Sequence, residues 1–532
     1  MDDSIGVKRH WIWQGAFVLI LAGVITKILS AVYRVPFQNI VGDVGFYIYQ
    51  QVYPFLGIAV MLSTSGFPVI ISKLMNDYSE KNHHTILKIS ALFLSLIGIL
   101  LFLCLYLGAV PIALFMGDSH LAVLIQVAAC AFLLFPFVAL LRGGFQGRHE
   151  MLPSALSQMT EQFLRVAVLL GLSFWLVKKG ASLYTAGAAA ASGSLAGSLV
   201  ALVILGVFWF KTKRENQTDR QNENVITTKE LTKKLLLYSV TICVSSLLLL
   251  FIQLVDALNL YALLSGGEAS EEAKRLKGIY DRGQPLLQLG SIFAVSIATS
   301  LVPYISMAVK NNELKIMKEK IMSSLKLCLV LGTGASAGLI CILKPVNIML
   351  FQNGEGTGAL QVFSCSILFA SMAVTAAAVL QGAGYTVFPA IAVGAGVAVK
   401  WVLNTLLVPR YGIEGASLAT AASFAAVAGL NLYQLRQKEW LDKLRGVLIP
   451  IIGSALLMSA VLLAYTRLWT FLFPATGRGA AVIESLSAVA IGGAVFIYCM
   501  MRLGIFTDEE LNSVPFGSKL SKFMRRREQN GG

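Results

Sequence analysis

The chain has 532 residues, 56% of them hydrophobic and 13% charged, with a formal net charge of +15. Soluble domains are about 45–50% apolar and about 25% charged, so this composition excludes a soluble globular protein and indicates an all-α polytopic membrane protein. The basic excess does not imply nucleic acid, because most of it lies in short segments between apolar runs, where it encodes orientation.

Residues 1–13 precede an apolar run of about 20 residues, a spanning length with no Ala-x-Ala site after it. That run is expected to be a retained first span at 14–33. Windows of the same kind predict five more spans in the first half, at 46–72, 89–115, 121–141, 154–177 and 184–210. The second half is expected to hold spans at 235–264, 285–309, 322–343, 360–383, 389–408, 415–435, 448–472 and 483–501, which makes fourteen in all. The first span carries Lys27, and Arg34 follows seven residues later on the same helical face. A cation near the bilayer centre costs ~2.5–3.5 kcal/mol on insertion scales.

The second span, in GFYIYQQVYPFLGIAVMLSTSGFP (45–68), offers only Gln50, Gln51 and tyrosines as polar groups. On the fifth, Glu161 and Arg165 stand four residues apart, as in a structural ion pair. Gly193-x-x-x-Gly197 and Gly334-x-x-x-Gly338 have the spacing of close helix packing. The polar stretch KTKRENQTDRQNENVITTKELTKK (211–234) divides the chain near its middle. Gln253, Asp256 and Asn259 recur every third residue and give the seventh span a polar stripe. The segment 265–284 reads as the longest outer loop, and Asp281 and Arg282 lead from it into the eighth span. Lys400 and Asn404 lie four apart on the eleventh. The seven cysteines all fall in apolar runs without Cys-x-x-Cys spacing, so neither a zinc site nor a disulfide framework is indicated.

Placing the N-terminus in the cytoplasm puts 28 Lys/Arg in inner segments and 11 in outer ones, which satisfies the positive-inside rule. Both termini are therefore expected to be cytoplasmic. The two halves also repeat. Tyr49-QQVY-Pro54 matches Tyr280-DRGQ-Pro285, and FQGRHEMLPSA (145–155) matches LQGAGYTVFPA (380–390) at nearly the same offset. Six spans per repeat give parallel topology, an arrangement found in transporters. The expected organisation is a six-helix bundle at 1–210, a linker at 211–234, and a second bundle at 235–447. Helices thirteen and fourteen (448–501) and a basic tail (502–532) follow.

No enzymatic constellation is visible. A phosphate-binding G-x-x-x-x-G-K-[ST] loop and a His-Glu-x-x-His helix are both absent from the sequence, and the outer loops are too short for a catalytic domain. No enzyme activity, metal or cofactor is expected. Charges inside spans carry the information, since they usually face a polar cavity or a partner.

The segment IYDRGQPLLQLGSIFAVSIATSLVP (279–303), with TKILSAVYR (26–34) and the repeat, resembles the multidrug/oligosaccharidyl-lipid/polysaccharide flippase superfamily. The likeness is to its polysaccharide-transporter branch, which includes the stage V sporulation protein B group and the MurJ lipid II flippases. This resemblance implies a monomeric flippase of the bacterial plasma membrane, moving a polyprenyl-diphosphate-linked saccharide by alternating access. Lys27, Arg34 and Arg282 would meet the diphosphate, with Asp281 holding them or competing with the cargo. Gln253, Asp256, Asn259, Lys400 and Asn404 would form a cavity or ion-coupling set. Some family members bind sodium between the seventh and eleventh spans; here Lys400 stands where a carboxylate would be wanted, so its ammonium is expected to pair with Asp256 in the ion's place. The alternatives to a flippase are a multidrug or cation antiporter of the same superfamily and a non-transporting scaffold for envelope assembly.

Overall fold

The computed structural model describes residues 18–19, 21–211, 228–441, 444–473 and 477–505. The segment before the first span, most of the 211–234 linker and the tail from residue 506 lie outside the described residues. Every regular element among the described residues is helical. Only helices and closed barrels satisfy backbone hydrogen bonds inside a bilayer, and eleven helices here are long and apolar enough to cross one. The protein is a multi-pass membrane protein.

In chain order the helices are α1 (Leu21–Asp77), α2 (Glu80–Leu107), α3 (Ser119–Gly147), α4 (Met151–Lys178) and α5 (Leu183–Lys211). Then come α6 (Thr228–Tyr238), α7 (Leu248–Ser265), α8 (Glu271–Asp281), α9 (Gly283–Lys310), α10 (Leu314–Phe351) and α11 (Thr357–Gly382). The last three are α12 (Val387–Gln437), α13 (Gly446–Leu472) and α14 (Arg478–Arg502).

Where the sequence predicts a loop between spans one and two, and another between eleven and twelve, α1 and α12 instead break at single glycines. Gly42 has φ 70° and Gly412 has φ 54°, backbone conformations that cost a residue without a β-carbon nothing.

The second arm of α1 contains a π-helical turn at Leu62–Gly66, and a second π turn, Ser239–Cys243, follows α6. Both are rich in hydroxyl residues, and the hydroxyls serve the carbonyls of the widened turn. Ser63 and Thr64 each donate to the Val60 carbonyl at 2.8 Å. Ser239 donates to Leu235 at 2.5 Å and Thr241 to Leu237 at 2.9 Å. The two π turns pack on each other, and a β-carbon on Gly66 would come within 3.1 Å of Cys243 Sγ.

The segment 265–284, expected as an outer loop, contains the helix α8. The apolar window missed it because its stabilisation is polar. Ser270 accepts a bond from the Ala273 amide, and Glu271 and Glu272 occupy the first turn, where the helix dipole favours them. Lys274 and Arg275 answer these carboxylates three residues on, at 2.7 and 2.8 Å. Burial pushes the Lys274 ammonium down in pKa, but the hydrogen bonds it donates to Glu271 and Tyr184 outweigh that and hold it above its ordinary value.

The chain divides into two compact units, one comprising Met1–Ile292 with Gly384–Val427, the other Phe293–Ala383 with Ala428–Gly532. In the first, Gly193 and Gly197 let α5 close on α4: β-carbons there would lie 2.9 Å from the Arg165 carbonyl oxygen and 2.6 Å from that of Glu161. In the second, α10 packs against α11, α13 and α14. Gly334 receives the Phe496 ring, whereas Gly338 has nothing nearer than the Met458 methyl at 3.7 Å, so that pair is not a backbone-to-backbone contact.

Candidate functional site

The sites lie within the first unit and consist of charges that an apolar interior tolerates only when they are answered. One group gathers on α7 and α12. Lys400 is completely buried, and its Nζ lies 2.6 Å from Asp256 Oδ1. The same ammonium donates to Thr420 Oγ1 at 2.6 Å and to the Ala416 carbonyl at 3.0 Å, with the Tyr280 hydroxyl at 3.3 Å. Asp256 also accepts from Tyr280 at 2.7 Å and from Asn404 Nδ2 at 3.0 Å. Asn404 bonds Asn259 Oδ1 at 2.9 Å. The break at Gly412 separates the two arms of α12, and Lys400 on one meets Thr420 on the other beside the Tyr280 hydroxyl. Gln253 is buried nearby in sequence, but its Nε2 has no partner among the described residues.

A second group joins α1 to the start of α9. Arg282 is fully buried and grips Asp43 with two nitrogens: Nη2 lies 2.6 and 2.8 Å from the two oxygens and Nε 3.0 Å from Oδ1. Bidentate guanidinium–carboxylate pairs of this kind are strong and orientation-specific. Gln38 steadies Asp43 Oδ1 at 2.9 Å. Asp281, although adjacent to Arg282, bonds instead to Lys277 within α8, at 2.7 Å to each oxygen. Gly278 lies against the Asp43 backbone so closely that a β-carbon would sit 2.7 Å from its carbonyl carbon.

The third group is on α1, α3 and α4. Arg34 is buried and stacks over Tyr53, 4.3 Å from the ring centroid; its Nε has no hydrogen-bond partner among the described residues. Beside it the Tyr33 and Tyr49 hydroxyls meet at 3.2 Å. Lys27 is half-buried, and no ion pair reaches it among the described residues. Glu161 and Arg165 do pair, at a loose 3.9 Å, but the tighter partner of Glu161 is Arg142 at 2.8 Å. Arg142 also holds Ser157 at 3.0 Å and the Ser63 carbonyl, in the π turn, at 3.3 Å. Removing one member of a buried pair strands the other, at a cost of ~3–5 kcal/mol. Arg142→Met should therefore lower the thermal midpoint of the detergent-solubilised protein sharply, and Arg142→Met/Glu161→Gln should recover much of the loss. Equal losses in both variants would show that the pair is not what stabilises this region.

The structure thus brings Asp256, Asn259, Lys400 and Asn404 into one cluster, leaves Lys27 apart, and occupies Arg282 with a carboxylate. Asp43, Arg142, Lys277, Tyr280 and Thr420 are the partners that sequence reasoning did not single out. Among the described residues no group of three or more His, Cys, Asp or Glu side chains could hold a metal ion.

Three likenesses accompany this geometry. The chain is 98% identical over 532 residues to the membrane protein YabM of Bacillus subtilis (strain 168), covering all of both chains. It is 27% identical over 540 residues to the lipid II flippase MurJ of the same organism, covering 96% of this chain and 98% of the relative. Its fold matches a structure of lipid II flippase MurJ in an inward closed conformation with a TM-score of 0.65, at 16% identity, over 92% of this chain and 98% of that one. The family described as polysaccharide biosynthesis protein matches residues 12–309, more than half of the sequence. With its buried ion pairs, its glycine-broken helices and that match, the chain belongs to the polysaccharide biosynthesis protein family, in the polysaccharide-transporter branch of the multidrug/oligosaccharidyl-lipid/polysaccharide flippase superfamily.

Proposed function

We propose that the protein is a flippase of the bacterial plasma membrane that moves a polyprenyl-diphosphate-linked saccharide by alternating access. The observation that carries this reading is a surplus of positive charge on α1 and α4. Asp43 is matched by Arg282, Glu161 by Arg142, Asp281 by Lys277 and Asp256 by Lys400. Lys27 and Arg34 pair with no carboxylate among the described residues, and Arg165 only shares one that Arg142 already neutralises. Cations left over in this way fit an anionic cargo, whose phosphates would offset the cost of placing them there. An antiporter of cations would be served by the opposite surplus.

In this reading each arm of α1 and α12 crosses the bilayer, which with α9 gives fourteen spans, cytoplasmic termini and two parallel six-span repeats. The monomer would be the working unit. Arg282 is withheld from the cargo by Asp43 in the closed latch and joins Lys27 and Arg34 only when the latch opens. The Lys400 ammonium takes the place of a bound sodium ion among the oxygens of Asp256, Tyr280, Ala416 and Thr420. Cells depleted of the protein should accumulate a lipid-linked saccharide on the inner leaflet, and Lys27→Ala and Arg34→Ala should insert at normal levels without relieving the accumulation. Normal precursor levels in depleted cells, together with loss of an envelope enzyme from the membrane, would favour the scaffold reading instead.

A further inference from the structure

Tyr280 and Asp281 end α8 and Arg282 joins it to α9, and each is at most 1% exposed. Three consecutive residues are thereby bound to partners on four helices. The Tyr280 hydroxyl reaches Asp256 on α7 and, at 2.7 Å, Thr420 on α12. Asp281 is tied back to Lys277 on α8, and Arg282 is tied forward to Asp43 on α1. The ammonium groups of Lys277 and Lys400 each lie 5.7 Å from the centroid of the Tyr280 ring. Tyr280 and Arg282 are two residues apart, so their Cα atoms are separated by no more than about 7.6 Å, and neither side chain has exposed space in which to absorb a displacement.

We propose that Tyr280 is a positioning residue that couples the buried Asp256–Lys400 pair to the Asp43–Arg282 latch. Its hydroxyl is part of the pair's own hydrogen-bond set, so the pair cannot rearrange without either breaking those bonds or moving Tyr280. Movement of Tyr280 carries the Arg282 backbone with it. The bidentate latch depends on the guanidinium staying coplanar with Asp43, so it is lost under such a shift rather than stretched. Close-packed interiors switch between arrangements and do not deform smoothly. Coupling of this kind is reciprocal: opening the latch weakens the pair by as much as losing the pair opens the latch. The inference rests on the transport reading only for the meaning of an open latch, and its test needs no cargo.

The experiment measures distances between spin labels at Pro36→Cys and Glu272→Cys, both exposed positions, in full-length protein in lipid nanodiscs. The background lacks the seven native cysteines. Lys400→Met should shift the distances longer, Tyr280→Phe alone should leave them unchanged, and Lys400→Met in the Tyr280→Phe background should produce no shift. Asp43→Asn should lengthen them in both backgrounds, showing that the labels still report the latch. If Lys400→Met does not fold, Asp256→Asn breaks the same pair. An equal shift with and without the hydroxyl, or no shift in either background, overturns the coupling. Opening by Tyr280→Phe alone would make the hydroxyl a structural prop, and the proposal would fail.

Discussion

Lys400→Met should be one of the most destabilising single substitutions in the protein, lowering its stability by ~3–5 kcal/mol. The reason is the environment: Asp256 and Lys400 are both essentially unexposed, and each is the other's only opposite charge within bonding distance among the described residues. Asp256→Asn should cost a similar amount, because it strands the ammonium. Asp256→Asn/Lys400→Met should be milder than the sum, since it leaves amide, thioether and hydroxyl groups that need no counter-ion. Thermal unfolding of the detergent-solubilised variants would check this, and additive losses would refute the pair as their common source. The same measurement addresses sodium. With the ammonium in its oxygen cage, replacing choline chloride by sodium chloride should leave the wild-type midpoint unmoved. In Lys400→Ala, the vacated oxygens should make it rise.

Gly278→Ala should abolish transport while leaving the protein inserted. The added methyl would meet the carbonyl group of Asp43, a piece of backbone that cannot swing aside as a side chain would. The clash forces α8 away from α1 and separates Arg282 from Asp43, so the closed latch of the proposed mechanism cannot form. Complementation of a depleted strain should fall at least tenfold at normal membrane abundance. Gly266, whose β-carbon would meet nothing within 4 Å, provides the contrast for crowding, although its φ of 64° makes substitution there strained for a different reason. Full activity in Gly278→Ala would mean that α8 and α1 need not close this tightly.

What was legible in the sequence follows from which signals survive in one dimension. Asp256 and Lys400 interrupt apolar runs, so their cost announced them, and the resemblance to family members that bind sodium between the seventh and eleventh spans is what paired them. Asp43 did not stand out, because it lies between glycines in VGDVG at an expected loop, and its partner Arg282 is 239 residues away. Arg142 fell one residue beyond the expected end of the fourth span and was counted as an orienting loop charge. It is in fact 1% exposed within α3. The helix α8 was hidden for a related reason, since a search for apolar windows passes over a helix held by charges and a serine cap. Glu161–Arg165 was read from local spacing alone, and spacing along one helix says nothing of a better partner on the next.

The paired π turns bear on how the chain accommodates changes in its length. Each contains one residue more than an α-helical path between its flanks would need, so the surplus is absorbed locally and the residues on either side keep their register. Elsewhere in a span, loss of one residue turns the remainder of the helix by about 100°. In the second arm of α1 that rotation would carry Ile70, Ile71 and Leu74, all fully buried, out of the protein interior toward lipid. Leu62–Gly66 and Ser239–Cys243 are therefore the points in their spans where a codon can be lost, or was once gained, without reassigning every face beyond it.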